Sequence, residues 1–348
     1  MSRWAVILAG GVGSRFWPLS TPRRPKQLLP LITDSPLLAD TVARLAALVP
    51  AEHTLVVTNA SLAAAVRALL PQLPAENVIA EPRAAGTAPA LAWAAAIVAR
   101  RGRPDDVMIC VHADWAIGNE VEFRATLARA AALAEREQRL VTVGIVPARP
   151  DPGFGYIEPG EPVSGAKDGA RRVARFAEKP NRETAARMVA SGYLWNSGIF
   201  VWRAGDFLAE VRERSPEVAP SLPLAESGDI AAFFSSVKPI SVDEGVLERS
   251  PHVLVIPGDF EWDDVGTWAA LHRVRKQDES GNAVFGDVHA VQASDNVVHA
   301  DAGSVVLYGV SDLVVVTSEG LTLVTTKERA AELKQLLDAL PSSVRERA

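Results

Sequence analysis

One cysteine, Cys110, stands among 348 residues. A lone thiol closes no internal disulfide and completes no multi-cysteine zinc site, and its place in the apolar run 107–111 marks it as a core residue. The scarcity of thiols suits a reducing compartment, so the expected location is the cytoplasm. Long hydrophobic runs are missing too. No segment reaches the roughly 18 uncharged apolar residues of a membrane span, and 84–99 is alanine-rich rather than strongly apolar. The stretch 1–8 has one basic residue and an apolar run too short for a signal-peptide core, and reads as a first strand. Nor is there an excess of positive charge: 36 Lys and Arg against 42 Asp and Glu leave a net charge of -6. Neither nucleic acid nor an anionic membrane is therefore an expected partner, and any polyanion must be met by a local basic site. A small phosphorylated ligand fits better than DNA.

What is present suffices for a large buried core and about two domains, with 48% hydrophobic and 22% charged residues. Short apolar runs at 4–8, 54–58, 78–80, 107–111 and 141–145 alternate with helix-like stretches at 36–48, 62–70, 89–100 and 120–137. That alternation predicts a doubly wound, Rossmann-like α/β domain with a mostly parallel sheet, whose ligands sit beyond the carboxyl ends of the strands. After Pro147 the pattern loosens into glycine- and proline-rich loops, with strands expected at 172–176 and 198–202 around a helix at 182–191. The section at about 147–260 reads as an insertion into a catalytic domain spanning 1–275. From 281 to 348 the character changes again. Short β-branched runs at 297–299, 304–308, 313–317 and 321–325 predict a small β-rich, short β-helix-like domain. A closing helix at 327–340 would place Ala330, Leu333, Leu336, Leu337 and Leu340 on one face, packed against its own or a partner subunit.

The first strand runs into Leu8-Ala9-Gly10-Gly11-Val12-Gly13-Ser14-Arg15, then Phe16-Trp17-Pro18-Leu19 and Arg23-Arg24-Pro25-Lys26-Gln27. Glycines let a backbone approach phosphate oxygens and turn N–H groups toward them. A dinucleotide fingerprint would flow directly into a helix, which Pro18, Pro22 and Pro25 prevent, and the Gly-Lys-Ser/Thr of a P-loop is absent. The remaining reading is a loop with two phosphate clamps, Arg15 and Lys26, suited to a triphosphate and to charge developing in phosphoryl transfer. Arg23 and Arg24 read as solvated or secondary contacts.

This loop resembles the signature of the sugar-1-phosphate nucleotidyltransferases, and within them the mannose-1-phosphate guanylyltransferases. Further segments similar to that family follow in order: Glu81-Pro82, Gly86-Thr87-Ala88, His112-Ala113-Asp114, Gly155-Tyr156-Ile157, Glu178-Lys179-Pro180, Trp195-Asn196-Ser197-Gly198 and Asp264-Val265-Gly266-Thr267-Trp268. The resemblance implies catalytic roles for Arg15, Lys26 and Lys179. It implies a nucleotide site of Leu8, Ala9, Gly10, Gly11, Gly13, Ser14, Glu81, Gly86, Thr87, Ala88 and Asp114. For the sugar phosphate it implies Gly155, Tyr156, Glu178, Lys179 and Asn196, with Lys179 on the phosphate and Glu178 on sugar hydroxyls. Asp114, at the carboxyl end of an apolar run, and Asp264 are the implied ligands of Mg2+, which prefers hard oxygen donors; Asp263 ranks second to Asp264. Glu81 suits either the N1–H and amino edge of guanine or a surface ion pair, and Thr87 either a ligand turn or a helix cap. His112 and Trp115 depart from the proline and histidine commoner in this family.

The implied reaction joins GTP and mannose 1-phosphate into GDP-mannose and pyrophosphate by one in-line displacement without a covalent intermediate, so the six histidines are not needed as general bases. Other readings are the same chemistry on another nucleotide or sugar, a non-catalytic nucleotide-sugar sensor, and a glycosyltransferase, which more typically carries an Asp-x-Asp motif that Asp114 lacks. The chain ends without the extra domain of the family's bifunctional members, so a single activity is expected. The family's β-rich tail often mediates pairing, so a homodimer is expected.

Overall fold

The computed structural model describes residues 1–11, 14–166 and 168–345. They form two compact units, neither a single stretch of chain: Met1–Gly10, Val42–His112 and Asn119–Trp262 make one, and Gly11–Thr41, Ala113–Gly118 and Asp263–Ala348 the other. Compactness thus cuts across the chain-order division near 275–281.

The first unit is built on a sheet of nine strands: β1 (Arg3–Leu8), β2 (Thr54–Asn59), β3 (Val78–Glu81), β4 (Val107–His112), β5 (Leu140–Ile145), β6 (Tyr156–Pro162), β7 (Arg171–Ala177), β8 (Leu194–Arg203) and β9 (Val253–Gly258). Their order is β3-β2-β1-β4-β8-β5-β9-β7-β6, with β6 also pairing β8. Strands β1 to β4 are mutually parallel, as are β5 and β9. The reversed strands are β8, wedged antiparallel between β4 and β5, and β7 beside β9. The sheet is mixed in its pairing, while most strands point one way. Buried β-branched and aliphatic side chains fill β1, β2, β4 and β5 almost without alternation, as a sheet covered on both faces requires. The alanine-rich segment becomes the helix Thr87–Arg101. Ala88, Ala92, Ala94 and Ala95 are fully enclosed, because this helix packs against β1 and the helices Ala204–Arg214 and Leu222–Ser227, and small side chains allow close approach. Strands β6 and β9 have no counterpart in the sequence reading. The first is proline- and glycine-bearing, and the second follows a polar turn.

Register brings distant residues together. Tyr156 opposes both Ala177 and Trp195, and Gly144 opposes Asn196. Gly155, Glu178 and Asn196 are thereby gathered at one end of β6, β7 and β8.

The second unit carries a sheet of β10 (Ala283–Val291), β11 (Val297–Tyr308), β12 (Leu313–Ser318) and β13 (Leu321–Thr326). The first three are parallel and the last closes as a hairpin. Buried asparagines stack through this sheet as in a solenoid: Asn296 Nδ2 donates to Asn282 Oδ1 at 2.9 Å, and Asn296 Oδ1 accepts from Leu313 N at 2.9 Å. The runs 297–299 and 304–308 belong to one long strand. The closing helix is shorter than expected: a 3-10 turn at Arg329–Glu332 precedes the helix Leu333–Ala339. Its apolar face packs on its own unit. Ala330 and Leu333 join one buried cluster with Phe16, Trp17, Leu29, Trp268, Val297 and Val314, and Leu336, Leu337 and Leu340 flank it. The apolar residues of the basic loop are thus core residues of the unit that holds the C-terminal sheet. Buried Arg275 ties them further, donating to Leu31 O at 2.6 Å and Val298 O at 3.3 Å.

Candidate active site

Three of the charged residues singled out in the sequence meet in the second unit. Lys26, in the 3-10 turn Lys26–Leu28, is buried, and its Nζ donates to Asp114 Oδ2 at 3.1 Å and to the Asp264 carbonyl at 2.6 Å. Three prolines keep the preceding chain from becoming a long helix, so the loop can deliver this side chain inward. Asp264 opens a tight turn in which Val265, a β-branched residue, takes φ 48° with its side chain fully enclosed. Gly266 N donates to Asp264 Oδ1 at 3.1 Å and fixes the carboxylate. Burial holds the Asp264 carboxyl above its ordinary range; Lys26 opposes that shift, and the neighbouring Asp263 and Asp114 charges add to it. Asp263 is spent otherwise: its Oδ2 accepts from Arg273 Nε at 3.0 Å and Nη2 at 2.8 Å, and its Oδ1 from Val265 N. One carboxylate, Asp114, and one backbone carbonyl, that of Asp264, hold the buried ammonium, and the nearby Asp264 carboxylate adds a second hard oxygen donor of the kind a divalent metal prefers. Among the described residues, no group of three or more His, Cys, Asp and Glu side chains forms a ready metal site.

Around the phosphate loop the picture is divided. Ala9 is held by the sheet, its N–H on Val57 O at 2.8 Å and its carbonyl on Thr58 Oγ1 at 3.1 Å, and Leu8 lies in the core. Gly11 differs: a Cβ there would meet nothing within 4 Å, so packing within the chain does not demand glycine. Close approach of a ligand would. Arg15 is exposed, whereas Arg24 pairs with Asp301 at 3.1 Å, a secondary contact. Gly13 lies outside the described residues, and Ser14 opens the 3-10 turn Ser14–Phe16.

In the first unit Glu81 ends β3, buried next to Gly10, where an added Cβ would stand 3.5 Å from Glu81 Oε2. The surface ion pair considered for Glu81 is not formed among the described residues, and desolvation pushes its carboxyl from 4.5 up to about 7. A raised folded pKa means that ionising Glu81 opposes folding: stability contributed below pH 4.5 is lost as pH rises through about 7. Glu81→Gln should therefore stabilise the protein at pH 8 relative to pH 5, by up to about 3 kcal/mol, read by denaturant titration at both values. Equal effects at both values would contradict this.

Gly86 takes φ 84°, and a Cβ would collide with the Ile240 carbonyl at 2.2 Å, so glycine is obligatory there. Thr87 is not the helix cap. It is the first helical residue, and its Oγ1 accepts from Val242 N at 2.8 Å, while Ala88 N donates to Ile240 O at 3.2 Å.

Glu178 and Lys179 follow directly on β7 as a close ion pair, both largely exposed, with Lys179 at φ 41°. A Cβ on Gly155 would stand 2.7 Å from Glu178 Oε2, and Asn196 N donates to Gly155 O at 2.8 Å. Tyr156 contributes no free hydroxyl: fully buried, it accepts from Asp151 N and donates to Asp151 O, both at 3.0 Å. Asp243 was not legible in the sequence. It accepts from Asn196 Nδ2 at 2.8 Å, and burial raises its carboxyl pKa. An isolated Asp in Ser-Val-Asp-Glu-Gly has no motif signal; only its π-helical turn, Asp243–Leu247, reveals it.

No helix among the described residues is long and apolar enough to cross a membrane. Residues 4–281 match the nucleotidyl transferase family, and residues 286–340 match the MannoseP isomerase/GMP-like beta-helix domain. The chain is similar to the mannose-1-phosphate guanylyltransferase of Escherichia coli (strain K12), 38% identical over 98% of this chain and 74% of that one. It is similar to the xanthan biosynthesis protein XanB of Xanthomonas campestris pv. campestris (strain B100), 36% identical over 99% and 74%. A crystal structure described as mannose-1-phosphate geranyltransferase from Thermus thermophilus superposes with TM-score 0.90 and 34% identity, covering 97% of this chain and 99% of that one. With a family match across most of its length, the chain belongs to the nucleotidyl transferase family and is an enzyme of the nucleotidyltransferase class.

Proposed function

We propose that the protein transfers GMP from GTP to α-D-mannose 1-phosphate, giving GDP-mannose and pyrophosphate. The observation that carries this is the buried Lys26 held between Asp114 and the Asp264 carbonyl, in a chain 38% identical to a mannose-1-phosphate guanylyltransferase.

The acceptor is already an anionic nucleophile. One of its phosphate oxygens attacks the α-phosphorus of GTP as the bond to the β-phosphate oxygen breaks, and pyrophosphate leaves with that electron pair. No proton need move and no enzyme side chain need bond to phosphorus. The task of the protein is to align two anions that repel each other and to offset their charge. Lys26 and Arg15 serve the triphosphate, and the Gly10-Gly11 backbone gives it room. Lys179 serves the phosphate of the acceptor, leaving Glu178 as it does so. Glu178, Asn196 and the Gly155 backbone meet sugar hydroxyls. Ionised Glu81 accepts from the N1–H and amino group of guanine, a pair of donors that adenine and uracil do not present together. Asp114 and Asp264 would hold Mg2+, which when bound would neutralise charge on the phosphates.

A homodimer is part of the same proposal, supported by Val306, Tyr308 and Val324, which stand 69%, 70% and 59% exposed on the C-terminal sheet. So is a cytoplasmic location, which the single buried thiol supports.

The test is pyrophosphate release in a matrix of four nucleoside triphosphates against mannose, glucose, galactose and heptose 1-phosphates. Highest turnover for GTP with mannose 1-phosphate is expected. Preference for another pair would reassign the substrates within the class, and release without any sugar phosphate would contradict the reaction.

A further inference from the structure

Asn196 donates through Nδ2 to Asp243 Oδ1 at 2.8 Å, and Gly198 N donates to its Oδ1 at 3.3 Å. These two contacts fix which edge of the amide carries the oxygen and which the nitrogen, and they leave one N–H and one lone pair for a ligand. Asp243 is itself held firmly. It opens the π-helical turn Asp243–Leu247, closed by Glu248 N on Asp243 O at 2.9 Å and anchored by the buried Val246 and Leu247. The residues just before it are bound to the nucleotide-side turn. Ile240 N donates to Ala85 O at 3.0 Å, Ala88 N to Ile240 O at 3.2 Å, and Val242 N to Thr87 Oγ1 at 2.8 Å. Gly86, in its left-handed conformation, has the Ile240 carbonyl where a Cβ would be.

A half-buried carboxylate next to an apolar turn is costly to desolvate, and an apolar residue would pack there at less cost. A π turn is rare and recurs at functional positions. Resting on the activity proposed above, we infer that Asp243 is a positioning residue: it sets the Asn196 amide for the hydroxyls of the acceptor sugar and ties that setting to the Gly86-Thr87 turn. The segment 240–247 is then the physical link between the nucleotide-side turn and the sugar-side asparagine, within one unit.

The experiment is a double-mutant cycle on the full chain, with Michaelis constants measured separately for mannose 1-phosphate and GTP. Asp243→Ala should raise KM for the sugar phosphate about 10- to 100-fold, as expected for losing a hydrogen bond to a charged group, with KM for GTP changed less than about 3-fold. Asp243→Asn keeps an acceptor oxygen for Asn196 Nδ2 and should recover most of the loss. Added to Asn196→Ala, Asp243→Ala should cost less than about 2-fold more, because its effect passes through the amide. If Asp243→Ala does not fold, Asp243→Ser takes its place in the cycle. Additive effects, equal rises in both KM values, or an Asn variant as poor as the Ala variant would each overturn the inference. A wild type inactive on every substrate pair would instead defeat the activity on which it rests.

Discussion

Lys26→Ala should remain folded and lose on the order of 10²- to 10³-fold in turnover, the scale found when one preorganised electrostatic donor is removed from a transferring group. The side chain is buried, so truncation to alanine removes packing as well as charge. Lys26→Met separates the two, because it keeps the stem that passes Phe16, whose ring centroid lies 5.9 Å from Nζ. Both variants are expected to be slow, with Met melting closer to wild type. In either one the Asp114 and Asp264 oxygens lose their shared donor, and the carboxylates repel each other less screened. Stability should therefore fall as pH rises above the carboxylate range. Near-normal turnover in Lys26→Met would exclude Lys26 from the chemistry. A slow variant with unchanged GTP binding would place its effect in the transition state.

Asp264→Asn is expected to separate stability from activity, with the two moving in opposite directions. The amide can still accept from Gly266 N, and the backbone carbonyl still accepts from Lys26, so the turn survives. Removing a carboxylate that burial and its acidic neighbours disfavour should leave the melting temperature unchanged or raised. Turnover should nevertheless fall on the order of 10²-fold or more, and the response to a magnesium titration should shift to much higher concentration. Asp114→Asn should behave alike, and the double variant should show no magnesium-dependent turnover. Asp263→Asn is the counter-test. It breaks the pair with partly exposed Arg273 and should destabilise by about 1 to 3 kcal/mol. A stable, inactive Asp263→Asn beside an active Asp264→Asn would exchange their roles.

Much of this arrangement was legible beforehand. The parallel strands β1 to β5 were readable because a sheet covered on both faces demands continuous apolar runs, and the helices between them because they are long and periodic. Lys26, Asp114 and Asp264 were legible because they sit in ordered, distinctive motifs. Strands β6 and β9 and the partner of the Thr87 hydroxyl were not. Strand β6 carries prolines and a glycine and is completed by its pairing partners, β9 is a short apolar run whose length does not by itself distinguish strand from helix, and the Thr87 hydroxyl is engaged by Val242, far along the chain.

By itself the sequence determined the α/β class, the phosphate loop, the resemblance to nucleotidyltransferases and the residue types available for charge neutralisation. These are local properties, written in periodicity, proline placement and contiguous motifs. Only the tertiary structure decided that Lys26 is buried against both Asp114 and Asp264, that Asp263 is committed to Arg273, that the Tyr156 hydroxyl is committed to Asp151, and that Asp243 holds Asn196. Each of these depends on which polar groups lose water together. That is set by packing between segments distant in the chain, and no pattern in either segment alone encodes it.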